Sequence, residues 1–169
     1  MVSAPFIVVL DANVLLPFTL RDTLLRAAAL HFYQVCWNAQ ILDEMTRNLV
    51  STGTMSQDKA DRLRTVMERA FPEAEVIGYE SLIASMPNDE KDRHVLAAAV
   101  KAGAQVVTTA NLKDFTELPA GIEAQSPDEF SATCSISIRT DSSSYCEIRL
   151  PISTDRQSPC SRVSRRSCP

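Results

Sequence analysis

Phe6 to Leu10 is an unbroken apolar run rich in β-branched residues, and Asp11 follows it directly in the stretch VVLDANVL. A strand with no polar alternation has no face to turn to water. It belongs inside a parallel sheet covered by helices on both sides. The run is far shorter than a signal-peptide core or a membrane span, and no basic segment precedes it, so a cytoplasmic protein is expected. A carboxylate at the carboxyl end of such a strand has two readings. It is a local cap, as in an Asx turn or a helix N-terminus, or it is a group placed at the sheet edge for chemistry.

The rest of the chain alternates in the same manner. Leu20, Leu24, Ala27, Ala28 and Leu30 recur near a 3.6-residue period, which predicts a helix over Thr19–Leu30. YQVCW (Tyr33–Trp37) reads as a second strand. Asn38 is placed to cap a helix over Gln40–Val50, and Ser56 to cap another over Ser56–Ala70 that Pro72 ends. Val76–Ile77 suits a short strand and Tyr79–Ser85 a short helix. Asp89–Ala102 has acids in its first turn, an alanine-rich middle and Gly103 behind it, the pattern of a capped helix. Gln105–Thr109 and Gly121–Ala124 complete the strands. Strands alternating with helices predict right-handed βαβ units: an α/β fold, a three-layer α/β/α sandwich around a mostly parallel sheet. Ligands of such sheets lie beyond the carboxyl ends of the strands.

The charge is unevenly distributed. Up to Phe130 there are 11 Lys and Arg against 18 Asp and Glu, a net charge of −7, whereas the last 39 residues carry six Arg and three acids. An acidic domain binds polyanions poorly unless a basic patch or bound cations intervene. Lys59, Arg62, Arg64 and Arg69 suit either a solvated helix face or a phosphate-binding patch. Of five cysteines, only Cys36 precedes residue 130; the others form no CxxC pair and have no His among them, so a zinc site has no support. From Ser131 the chain is rich in serine, with 11 in 39 residues, and shows no sustained period. Residues 1–130 are therefore taken as one domain and 131–169 as an irregular Ser, Arg and Cys-rich tail, disordered or the product of a shifted reading frame.

Four acids stand out by context: Asp11 after the first strand, Glu44 in the helix after the second, Asp92 at the start of the alanine-rich helix, and Asp114 in the loop after the TT of Thr108–Thr109. Each has a plain alternative: a cap for Asp11 and Asp114, a wet helix face for Glu44, favourable first-turn charge for Asp92. His31 and His94 have no spaced partner and read as structural or surface residues. Convergence of the acids at one sheet edge would set like charges against one another, and such a cluster is relieved by protonation or by cations. An all-oxygen set points to the hard ions Mg²⁺ or Mn²⁺ and to phosphodiester hydrolysis by activated water.

Taken together, LDANVL, ILDEMTRNL, DEKDRHVLAAAV and VVTTANLKDF resemble the PIN-domain family of metal-dependent ribonucleases over about residues 6–130. The resemblance implies that Asp11, Glu44 and Asp92 match the family's first three acids, and that either Asn111 or Asp114 is the fourth. It implies Mg²⁺ or Mn²⁺ as cofactor and RNA as substrate. Many bacterial members resemble the VapC toxins of toxin and antitoxin pairs, which implies that an antitoxin partner and a homodimer are to be looked for; the short apolar run already argues against a membrane partner. Two readings compete: a non-catalytic PIN-like module that binds RNA or a partner, and a phosphatase that uses Asp11 as nucleophile. For the phosphatase, the usual second Asp two residues on is replaced by Asn13.

Overall fold

The computed structural model describes residues 6–141, with side chains described from Phe6 to Cys134. Its centre is β1 (Ile7–Leu10), in which Val8, Val9 and Leu10 are fully buried, as the unbroken apolar run requires. A four-residue helix, α1 (Ala12–Leu15), follows at once. Then come α2 (Phe18–Ala29), β2 (Gln34–Cys36), α3 (Ala39–Ser51), α4 (Gln57–Ala70) and α5 (Glu80–Ile83). A 3₁₀ turn at Glu90–Asp92 leads into α6 (Arg93–Ala102), which is followed by β3 (Val106–Thr108), a second 3₁₀ turn at Leu112–Phe115, β4 (Glu123–Gln125) and α7 (Pro127–Asp141).

The four strands pair in the order β2-β1-β3-β4, and every pairing is parallel. Val9 lies opposite Cys36 on one side and Val107 on the other, so the carboxyl ends of β1, β2 and β3 come level. The chain moves from β1 to β2 in one direction and from β2 past β1 to β3 in the other. Helix α2 packs on β2, α6 packs on β1 and β3, and α1 touches both α2 and α3. The reversal falls between β1 and β3, where the crevice of an open parallel sheet forms.

Helix α6 lies against β1 and β3. Val95, Leu96 and Ala97 to Ala99 are all fully buried, and the three alanines let the helix backbone approach the sheet closely. Gly103 ends it at φ +66°, in the left-handed region that suits a C-terminal glycine. Asn38 caps α3, its Oδ1 accepting from Ile41 N at 2.8 Å, whereas Ser56 precedes α4 without a side-chain capping bond. Among the described residues no helix is long and apolar enough to cross a membrane.

Several boundaries differ from expectation. The helix foreseen over Asp89–Ala102 is split, with Asp92 ending the 3₁₀ turn and preceding α6. The strand at Val76–Ile77 reduces to a single parallel bridge between Trp37 and Glu75, and the last strand begins at Glu123 instead of Gly121. The expected irregular tail does not start at Ser131: α7 carries on through Asp141. Phe130 is fully buried and stacks edge-on against Tyr33 at 4.9 Å between centroids, and Cys134 is buried one turn later. Apolar anchoring thus overrides a serine-rich composition. Residues 142–169, and with them Cys146, Cys160 and Cys168, lie outside the described residues.

Candidate functional site

Asp11 is only 3% exposed, and both of its carboxylate oxygens are bound. Its Oδ1 accepts from Ala12 N at 2.6 Å, which caps α1. Its Oδ2 accepts from Asn13 Nδ2 at 2.6 Å and from Thr109 Oγ1 at 2.8 Å. Asn13 also bridges to the end of β3, its Oδ1 accepting from Ala110 N at 2.9 Å and its Nδ2 lying 3.2 Å from Thr109 Oγ1. The ends of β1 and β3 are therefore locked together around one carboxylate. Burial raises the Asp11 pKa, opposed by the Thr109 and Ala12 bonds; the nearby charge of Glu44 raises it further. Capping and functional placement are both met by this one side chain.

Glu44 projects from α3 toward the same edge. Its Oε1 lies 3.4 Å from Gln40 Nε2 and 3.6 Å from His94 Nε2. Asn38 sets this spacing, because its side chain caps α3 through Oδ1 while its Nδ2 donates to His94 O on α6 at 2.9 Å. His94 is 2% exposed, and neither ring nitrogen makes a hydrogen bond among the described residues. The expectation that His94 is structural or on the surface missed its position beside Glu44.

The third part of the site joins the start of α6 to the loop after β3. Lys91 bridges Asp92 and Asp114, its Nζ lying 2.9 Å from Asp114 Oδ2 and 3.8 Å from Asp92 Oδ2, and Asn111 Nδ2 donates to Asp114 Oδ2. Burial, the Asp114 carboxyl group and the Asp11 charge push Asp92 up to about 7, while the Lys91 ammonium holds Asp114 below its ordinary range. The two carboxyl groups are shifted in opposite directions and titrate as a pair. Asn111 and Asp114, alternatives in the sequence, stand side by side.

All four predicted acids and Asn111 therefore reach the carboxyl edge of the sheet. Glu44 acts on Asp11, Asp11 on Asp92, and Asp92 on Asp114. As they stand, no three His, Cys, Asp or Glu side chains among the described residues close on one point. The donors still fit a hard divalent cation. They are carboxylate oxygens, burial together with the neighbouring acids favours the protonated form of Asp92, and the positive charge already among them comes from Lys91. A cation drawn to these carboxylates would relieve their repulsion.

Reading the sequence for acids overlooked the residues that hold the acids. Asn13 was weighed only as a missing Asp, and Lys91 was not singled out. DxN after a buried strand was the available signal for the first, and a lysine next to an acid at a helix start for the second. Of the basic series, Arg64 is engaged with Asp43 and Glu68 on the outer face of the α3–α4 pair.

An open parallel sheet with a buried Asp after its central strand, and further acids drawn in from three other segments, defines an α/β protein with an acidic site at its topological switch point. The chain belongs to the PIN-domain family, whose "PIN domain" matches residues 7–113. That span holds Asp11, Glu44, Asp92 and Asn111 and stops just short of Asp114. Over 56 residues the chain is 54% identical to "Putative ribonuclease VapC50" of Mycobacterium tuberculosis (strain ATCC 25618 / H37Rv), a stretch covering 31% of this chain and 33% of that protein. The chain thus spans about a third of the length of the curated relative it matches.

Proposed function

We propose that the protein is an endoribonuclease that hydrolyses RNA phosphodiester bonds with a divalent cation, Mg²⁺ or Mn²⁺, held by Asp11, Glu44, Asp92 and Asp114, with Asn111 at its margin. The observation that carries this reading is the gathering of four acids from four separate segments at the carboxyl edge of the sheet, around a buried and fully hydrogen-bonded Asp11. Membership of the PIN-domain family and the partial likeness to a protein named as a ribonuclease support it.

The cation would lower the pKa of a bound water and offset charge on the scissile phosphate. The remaining roles fall to the chain. Asp11, fixed by Asn13 and Thr109, is the rigid anchor of the site. Asp92 gives up its proton when a cation arrives, so binding strengthens as pH rises toward 7. Lys91, more than half exposed, is free to turn from Asp114 to a phosphate oxygen. An acidic domain meets a polyanion through these local positive charges.

A phosphatase with Asp11 as nucleophile is not favoured, since the second Asp expected two residues on is Asn13, whose Nδ2 is bound to Asp11 Oδ2. The family resemblance extends the proposal to a toxin that acts on cellular RNA and is silenced by an antitoxin covering this edge. The test is cleavage of single-stranded RNA in Mg²⁺ or Mn²⁺, after EDTA, and after restoring the ion. Activity that comes and goes with the ion supports the reading. Equal cleavage in EDTA would sink metal dependence, and an intact fold that neither binds Mn²⁺ nor cuts RNA would leave the binding-module reading.

A further inference from the structure

His94 is a buried polar side chain at the acidic edge whose chemistry the proposed reaction leaves unused. Its imidazole is buried in the first turn of α6, and both ring nitrogens lack a hydrogen bond among the described residues. A buried polar group without a partner lowers stability, and an apolar side chain of similar size would fill the same space without that cost. Packing alone therefore gives no reason for an imidazole here.

The ring does have one polar neighbour. Nε2 is 3.6 Å from Glu44 Oε1, just outside hydrogen-bond range, and its influence reaches Asp11. The distance is set by the backbone, because Asn38 ties His94 O to the start of the helix that carries Glu44. A small rotation of the Glu44 side chain, itself partly exposed, closes the gap without moving either helix.

We propose that His94 is a positioning residue: by donating from Nε2 to Glu44 Oε1 it orients that carboxylate toward Asp11 and so sets the affinity of the site for a divalent cation. This rests on the metal-dependent reading above, and His94 acts through Glu44 without itself being a ligand. The oriented carboxylate presents its other oxygen to the cation. Hydrogen-bond partners of this kind are worth roughly 10–100-fold in metal affinity.

The experiment is Mn²⁺ titration of the full chain by calorimetry, together with the melting temperature in EDTA. His94→Leu should bind Mn²⁺ at least about tenfold more weakly while still melting cooperatively in EDTA, so that the loss is not one of fold. His94→Gln, which keeps a donor near the Nε2 position, should stay within about threefold of wild type. In a Glu44→Gln background, His94→Leu should change the affinity no further. If His94→Leu folds poorly, His94→Met carries the same expectation. Wild-type affinity in the apolar variants, or a loss that follows the melting temperature in the Leu and Gln variants alike, overturns the role of His94 alone. A wild-type protein that binds no Mn²⁺ overturns both this role and the metal-dependent reading.

Discussion

Asp11 and Asp92 are two carboxyl groups on neighbouring elements, and their surroundings give them different tasks. Asp11 is buried but receives three hydrogen bonds, so its position is fixed. Asp92 lies beside another carboxyl group and near a third, so its protonation is what varies. Because its folded value is raised to about 7 from 3.8, the cation-free folded protein holds a proton that the unfolded chain releases near pH 4. Stability then falls as pH rises from about 4 through about 7. Melting curves in EDTA should show this decline in the wild type and a shallower one in Asp92→Asn; parallel curves would remove Asp92 as its source. The acids themselves were legible in the sequence because each interrupts or borders an apolar pattern. Asn13, Lys91 and the orientation of His94 were not, since their roles depend on which segments meet across the sheet edge.

At the scale of elements, β1 and α6 were legible for opposite reasons: one is apolar without interruption, the other alanine-rich between acids and a glycine. Helix α1 was not, because four residues are too few to display a helical period, and its start is specified by Asp11 capping it. Helix α7 runs past the Phe130 boundary because Phe130 and Cys134, one turn apart, both face the core among serines and threonines. Asn38 shows how one polar side chain can set the relation of two helices. Asn38→Ala removes the cap of α3 and its tie to α6, and it should lower stability by about 1–2 kcal/mol in urea denaturation. It should also weaken Mn²⁺ binding, because Glu44 and His94 lose their common reference. A stability loss with unchanged Mn²⁺ affinity would show that the tie serves the fold alone.

For the whole molecule, the parallel sheet brings level the ends of strands that are distant in sequence, and the site exists only because they are level. Alternating strands and helices made that architecture readable. Phe130, against Tyr33 and Phe6, makes the start of α7 part of the core, and Phe130→Ala should cost about 3–5 kcal/mol in denaturant unfolding. A loss under about 1 kcal/mol would place α7 outside the cooperative unit. The central claim is that the gathered carboxylates perform metal-assisted RNA hydrolysis. Its most direct test is the Mn²⁺-dependent RNA cleavage rate of Asp11→Asn, a variant that keeps the size of the side chain and an oxygen to cap α1. The account predicts a fall of at least about a hundredfold, close to 3 kcal/mol of barrier, with the fold intact by circular dichroism. Cleavage at the wild-type rate by folded Asp11→Asn would contradict it.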